Sequence, residues 1–146
     1  MKDYFNKNDS FANDIGAEVI CCGEGQAEMR LTLSERHMSH VGRDHAHAGV
    51  LFTLAECASA AAVLSQGRDS MAVQSNMTII DAVTEGELTA LAKVKESSDQ
   101  EYGSCAVTIT AEDGRMIARA RFAVVYSGKA FDMGKATQQK DAAPEI

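Results

Sequence analysis

The stretch HAHAGVLFTLAECASAAA, residues His45–Ala62, decides how the rest of the chain is read. From Ala48 to Leu64 it carries a single charged residue, Glu56. The run has no alternation, no proline, and much alanine and leucine. Length and propensity predict a helix over 48–66, with Gly67 as its stop. On such a helix Phe52, Thr53, Ser59 and Ala60 are the i±3 and i±4 neighbours of Glu56, and none is a cation. A buried carboxylate without a partner is costly and holds its proton more tightly. Two ordinary arrangements avoid that cost: an exposed helix edge, or an arginine from a strand, Arg119 or Arg121. The small neighbours Ala55, Cys57 and Ala58 argue for a covered face, because they let another backbone approach closely.

His47, Ala48 and Gly49 fall where this helix begins. There the first N–H groups lack intrahelical partners and the helix dipole is positive. Such an end polarises a carbonyl or stabilises an oxyanion. Ala48 and Gly49 leave room for a substrate. A carboxylate base and an oxyanion site together suit acyl transfer to water. Glu56 is two turns from the helix start, so one chain does not easily bring the two together. A second copy packed antiparallel does.

The composition bounds the rest. With 146 residues, 45% hydrophobic and 24% charged, the chain fits one domain with a real core. A net charge of −7 argues against a nucleic-acid partner, which needs a basic face. The polar start MKDYFNKND is not a secretory signal, and no segment reaches the ~20 apolar residues of a membrane helix. Four cysteines, Cys21, Cys22, Cys57 and Cys105, form no CxxC pair. They read as reduced thiols of a cytoplasmic protein, with Cys21 and Cys22 on opposite sides of a strand.

Outward from the helix, the pattern changes to period 2. A short helix is expected within residues 1–13, then strands at 17–22 and 26–33 joined at Gly23-Glu24-Gly25. In the second, Ala27, Met29, Leu31 and Leu33 share a face. Residues 34–47 are a polar loop rich in histidine. Four strands follow the helix, at 71–80, 87–95, 101–112 and 115–126. Cys105, Val107, Ile109 and Ala111 share one face of the third; Met116, Ala118, Ala120, Phe122 and Val124 share one face of the last. Glu85-Gly86 and Asp113-Gly114 sit where hairpin turns belong. The class is therefore α+β, an antiparallel sheet whose apolar face is covered by one long central helix. The domain is expected to span 1–126, with a polar, mobile tail over 127–146.

The string HAGVLFTLAE, residues 47–56, resembles the signature of hotdog-fold thioesterases of the phenylacetate-degradation and 4-hydroxybenzoyl-CoA type. Their motif reads His-Gly-Gly, about six residues, then Leu-Ala-Asp or Leu-Ala-Glu. The variant His-Ala-Gly…Leu-Ala-Glu resembles a further branch of that superfamily, and the order of elements matches through Tyr126. The resemblance implies the hotdog fold and hydrolysis of an acyl-CoA, or another acyl thioester, to free acid and thiol. It implies Glu56 as general base or nucleophile and the Ala48 N–H as the donor to the thioester carbonyl. His47 shapes the site and Gly49 keeps the turn tight. It also implies a site between two subunits of a homodimer or a dimer of dimers. Relatives carry Ser or Thr one turn after the carboxylate and Asn or Gln in the preceding loop. Here those positions hold Ala60, with Ser59 beside it, and His40. The expected substrate contacts are His40, Phe52, Ser59 and Ala60.

Other readings compete. In hotdog dehydratases the glutamate follows the glycine by about five residues, a position held here by Leu54. The shift to Glu56 rotates the acid about 200° around the helix, against that activity. A non-catalytic acyl-CoA-binding hotdog protein is a second alternative. The third is a metal site built from His37, His40, His45, His47 and Asp44, although the spacing matches no zinc finger or zincin. No metal or cofactor is expected. Arg43, Arg68, Lys93, Lys95 and Arg115 are candidate contacts for coenzyme phosphates, or solvated charges.

Overall fold

In a computed structural model, which describes residues 1–40 and 42–130, the alternating runs form one six-stranded antiparallel sheet. Its strands are β1 (Glu18–Gly23), β2 (Gln26–Thr32), β3 (Arg68–Ile79), β4 (Glu87–Val94), β5 (Tyr102–Thr110) and β6 (Met116–Ala130). Their spatial order is β1-β2-β4-β5-β6-β3. The period-2 faces are those read from the sequence: Ala27, Met29 and Leu31 on β2, Cys105, Val107 and Ile109 on β5, and Ala118, Ala120, Phe122 and Val124 on β6 are all buried. Cys21 is exposed, while Cys22 packs against the core.

The β1–β2 turn places Glu24 and Gly25 at φ 52° and 76°, the positive values that a two-residue hairpin with native twist demands. Asp113-Gly114 closes β5 onto β6, with the Gly114 N–H bonded to the Ala111 carbonyl. Glu85-Gly86, expected as a hairpin turn, is not one. β3 pairs with β6 and is no neighbour of β4, so residues 80–86 carry the chain across the sheet. Alternation marks a strand, but strand pairing is settled by which edges meet in three dimensions.

Helix α3 (Ala48–Leu64) crosses the sheet and ends two residues before the expected position. Residues 65–67 form a tighter turn, the N–H groups of Gln66 and Gly67 bonding the carbonyls of Val63 and Leu64. Leu51, Leu54, Ala55, Ala58, Ala61 and Ala62 are all at most 2% exposed. Burying each leucine contributes about 1.5–3 kcal/mol relative to exposure. The alanines let the helix lie close to its own sheet. The backbone expected to approach Ala55, Cys57 and Ala58 is thus this chain's own, and that face offers nothing to a second copy.

The N-terminal segment forms two short helices, α1 (Lys2–Asn8) and α2 (Ser10–Ile15). Asp9 joins them and caps α2, its carboxylate accepting the Ala12 N–H at 2.9 Å. Asn6 satisfies the free edge of β1, donating to the Val19 carbonyl at 2.9 Å and accepting the Val19 N–H at 2.7 Å. β3, at the opposite edge, has no such cover among the described residues. Its 12 residues are exposed along nearly the whole strand, Met71, Val73 and Ile79 included.

β6 runs through Ala130, four residues past the boundary expected at Tyr126. Ala130 pairs with Arg68, which extends the sheet into residues expected as tail. The rest of that expected tail, 131–146, lies outside the described residues. No helix among the described residues is long and apolar enough to cross a membrane.

Candidate active site

Helical geometry puts Gly49, Thr53, Glu56 and Ala60 on the side of α3 opposite Leu51, Leu54, Ala55 and Ala58. Their exposure agrees, since none of the four is buried. Glu56 is half-buried, and no ion pair among the described residues reaches it. Arg119 and Arg121 are exposed on the outer face of β6, because Ala118, Ala120 and Phe122 take the inner one. The arginine partner considered from the sequence is therefore absent.

Burial pushes the Glu56 carboxyl above the ordinary carboxylate range; the negative charge of Asp9 adds to this, and the adjacent Cys57 thiol opposes it. Asp9 was not singled out in the sequence. It sits in a polar N-terminal stretch with no local pattern, and only packing of the α1–α2 hairpin against α3 brings it near. Cys57 is 2% exposed. Burial and the two carboxylates hold it as a neutral thiol, unsuited to nucleophilic attack.

His47 is the N-cap of α3. Its Nδ1 accepts the Gly49 N–H at 2.9 Å, and its carbonyl accepts from Val50 at 3.0 Å. That leaves the Ala48 N–H, for which no acceptor exists among the described residues. A Cβ on Gly49 would lie 2.9 Å from His47 Nδ1, so the glycine makes room for the capping ring. His47→Ala is expected to lower stability by about 1 kcal/mol through loss of the cap. Gly49→Ala should stabilise that variant, where the ring is gone, but not the wild type. Thermal denaturation of the four proteins measures this, and additive effects would refute the ring–glycine fit.

The remaining expected residues divide. Phe52 is 40% exposed and packs edge-to-face on Phe122 at 5.6 Å, on the flank of the Glu56 face. Ala60 lies one turn beyond Glu56. Ser59 does not share this face: it is 3% exposed, beside the Cys105 thiol of β5, so the substrate contact expected of it is corrected to a core role. His40 is exposed in the loop before the helix.

The other histidines are occupied separately. His37 is buried, accepting the Ser34 N–H at Nδ1 and donating from Nε2 to the Ile15 carbonyl at 2.8 Å. These bonds tie the end of α2 to the loop. His45 pairs with Asp44 at 2.7 Å on the surface. Among the described residues no three His, Cys, Asp or Glu side chains are grouped to hold a metal ion. Of the candidate phosphate contacts, Arg68 stacks on Tyr126, and Arg115 bonds Asp81 and Asp113. Lys93 and Lys95 lie in a groove on the outer face of the sheet with Arg121, far from the helix start. A cleft of about 370 Å³ opens at the helix start, between Ala48, Leu51, Ile79 and Ile80.

A six-stranded antiparallel sheet wrapped around one long helix is the hotdog fold. The chain has the hotdog fold, and the proteins it is similar to include thioesterases of that fold. It is 32% identical over 95 residues to the acyl-coenzyme A thioesterase PaaI of Escherichia coli K12, a match covering 64% of this chain and 66% of that protein. It is 33% identical over 94 residues to a protein of Archaeoglobus fulgidus provisionally named an esterase, covering 64% of this chain and 60% of the other. The match thus spans less than two thirds of the length of these curated relatives. The solved structure of the E. coli PaaI protein superimposes with a TM-score of 0.79 at 26% identity, covering 85% of this chain and 88% of that one. No family model matches the chain.

Proposed function

We propose that this chain is an acyl-CoA thioesterase whose active unit is at least a homodimer. The observation that carries the reading is Glu56, a half-buried carboxylate with no cation among the described residues, on the helix face turned away from the sheet. Likeness to a named acyl-coenzyme A thioesterase supports the substrate class. The Ala48 N–H and the positive end of α3 polarise the thioester carbonyl. Glu56 either takes a proton from water as the water attacks or attacks the carbonyl itself. The tetrahedral oxyanion is held at the helix start and collapses with loss of the thiolate, which takes up a proton to give the thiol. Attack by water yields the free acid directly, whereas attack by Glu56 yields a mixed anhydride that a water then hydrolyses to the free acid.

Within one helix, Ala48 and Glu56 are separated by about 12 Å along the axis, too far to serve one carbonyl. Two chains joined antiparallel along β3 offer each carboxylate the other's helix start. The long uncovered edge of β3, with Met71, Val73 and Ile79 exposed on it, supports that pairing, because monomers ordinarily blunt such edges. Four free cysteines fit a reducing, cytoplasmic setting.

The test is thiol release from short, long and aromatic acyl-CoA thioesters, with a chelator present. Sustained release from at least one is expected. Background rates across the whole series would exclude the activity.

A further inference from the structure

His37 is one of three buried polar residues among those described, 3% exposed, and no step of the hydrolysis uses it. Both its ring nitrogens are bonded. A backbone N–H only donates, so the bond from the Ser34 N–H at 3.0 Å makes Nδ1 an acceptor. A carbonyl only accepts, so the bond to Ile15 at 2.8 Å places the ring proton on Nε2. The ring is thus pinned between the turn that starts at Ser34 and the end of α2. Its peptide is held too, the His37 N–H bonding the Ser34 carbonyl at 3.0 Å. The His37 carbonyl reaches the helix start and accepts the His47 N–H at 2.8 Å. Beyond that pair the chain turns back on itself. Met38 bridges Ala46, and the Ser39 N–H bonds the His45 carbonyl at 2.8 Å.

We infer that His37 is a positioning residue for thioester hydrolysis: its doubly anchored ring fixes the carbonyl that holds His47, and so aims the Ala48 N–H at the thioester. The inference rests on the thioesterase reading and adds a residue to it. The direction of the Ala48 N–H follows from the backbone angles of His47, φ −61° and ψ 136°, which are not helical. Three bonds hold His47 there. Its ring accepts the Gly49 N–H, its carbonyl accepts the Val50 N–H, and its own N–H goes to His37. The first two lie within α3. The third reaches outside it and sets the cap against the Ser34 turn and α2. A donor to a developing oxyanion must be closely aimed, since a displacement of about 1 Å can cost ~100-fold in rate.

Three variants test this. His37→Ala loses both anchors of the ring. His37→Asn keeps an acceptor for the Ser34 N–H, and His37→Gln keeps a donor for the Ile15 carbonyl. Either carries the test if the alanine protein does not fold. His37→Ala should lower kcat on a good thioester by about 10–100-fold, with KM within about twofold. Asparagine and glutamine should recover part of that loss. Unfolded protein also lowers kcat, so a second measurement reads the bound carbonyl itself. In a Glu56→Gln background, infrared difference spectra of an isotope-labelled acyl-CoA report its C=O stretch. With His37 in place the stretch should lie below that of the free thioester, and each variant should move it back toward the free value. A stretch or a kcat that the variants leave unchanged would overturn the inference and leave the thioesterase reading standing. Wild type that releases no thiol from any thioester would overturn both.

Discussion

Glu56→Gln is expected to slow single-turnover hydrolysis of a good thioester by at least ~100-fold, the loss typical of a missing acid–base group. Glutamine keeps the size and hydrogen-bonding capacity of the side chain and removes only its charge. The variant should stay folded. The Glu56 pKa is raised in the folded state, so its favourable contribution to stability is complete below the unfolded value. That contribution is lost as pH rises through the folded value. The glutamine has no charge to bury at any pH, so thermal denaturation should show no loss. The same shift sets the acid limb of the wild-type rate profile above the ordinary carboxylate range, since only the ionised form acts. Asp9→Asn should move this limb to lower pH, and it leaves α2 capped because asparagine caps as well as aspartate. A Glu56→Gln enzyme within a few-fold of wild type would make the carboxylate structural.

Placing lysines at Val73 and Ile79 should convert the protein to a monomer and remove nearly all activity. Both side chains are about half exposed in the single chain, so the substitutions cost the folded subunit little, within about 0.5 kcal/mol each. Across a β3–β3 junction they bring like charges together and remove two of the strand's exposed apolar side chains. Without the second chain, Glu56 faces no helix start. Sedimentation at micromolar concentration, run beside the thiol-release assay, measures both effects. A monomeric variant with full activity would end the interfacial site, and an unchanged dimer would move the junction away from β3.

The helix, the strands and the lone acid were legible because each rests on local order. Period 2 in Ala27, Met29 and Leu31 and an apolar run from Ala48 to Leu64 follow from how successive side chains project. The carboxylate stands out in that run by contrast alone. Strand pairing was less legible: Glu85-Gly86 has the residues of a hairpin turn, yet the chain crosses the sheet there. Ser59 and Ala60 look interchangeable in sequence, but one residue turns a side chain about 100° around the helix. Ser59 is thereby buried against β5, and Ala60 stays on the face of Glu56. The four histidines suggested a cluster, and the fold spends His37 on Ser34 and Ile15, His45 on Asp44, and His47 on the helix cap.

By itself, then, the sequence determined the α+β class, the helix that carries Glu56, and the helix start at His47-Ala48-Gly49, because all three depend on residues near one another in the chain. Only the tertiary structure decided what surrounds them. Asp9 lies 47 positions from Glu56 by number, and no periodicity links the two; packing of the α1–α2 hairpin puts their charges together. The unprotected edge of β3 depends likewise on sheet order. A strand's own residues specify its faces, while its neighbours specify whether its N–H and C=O groups are already paired.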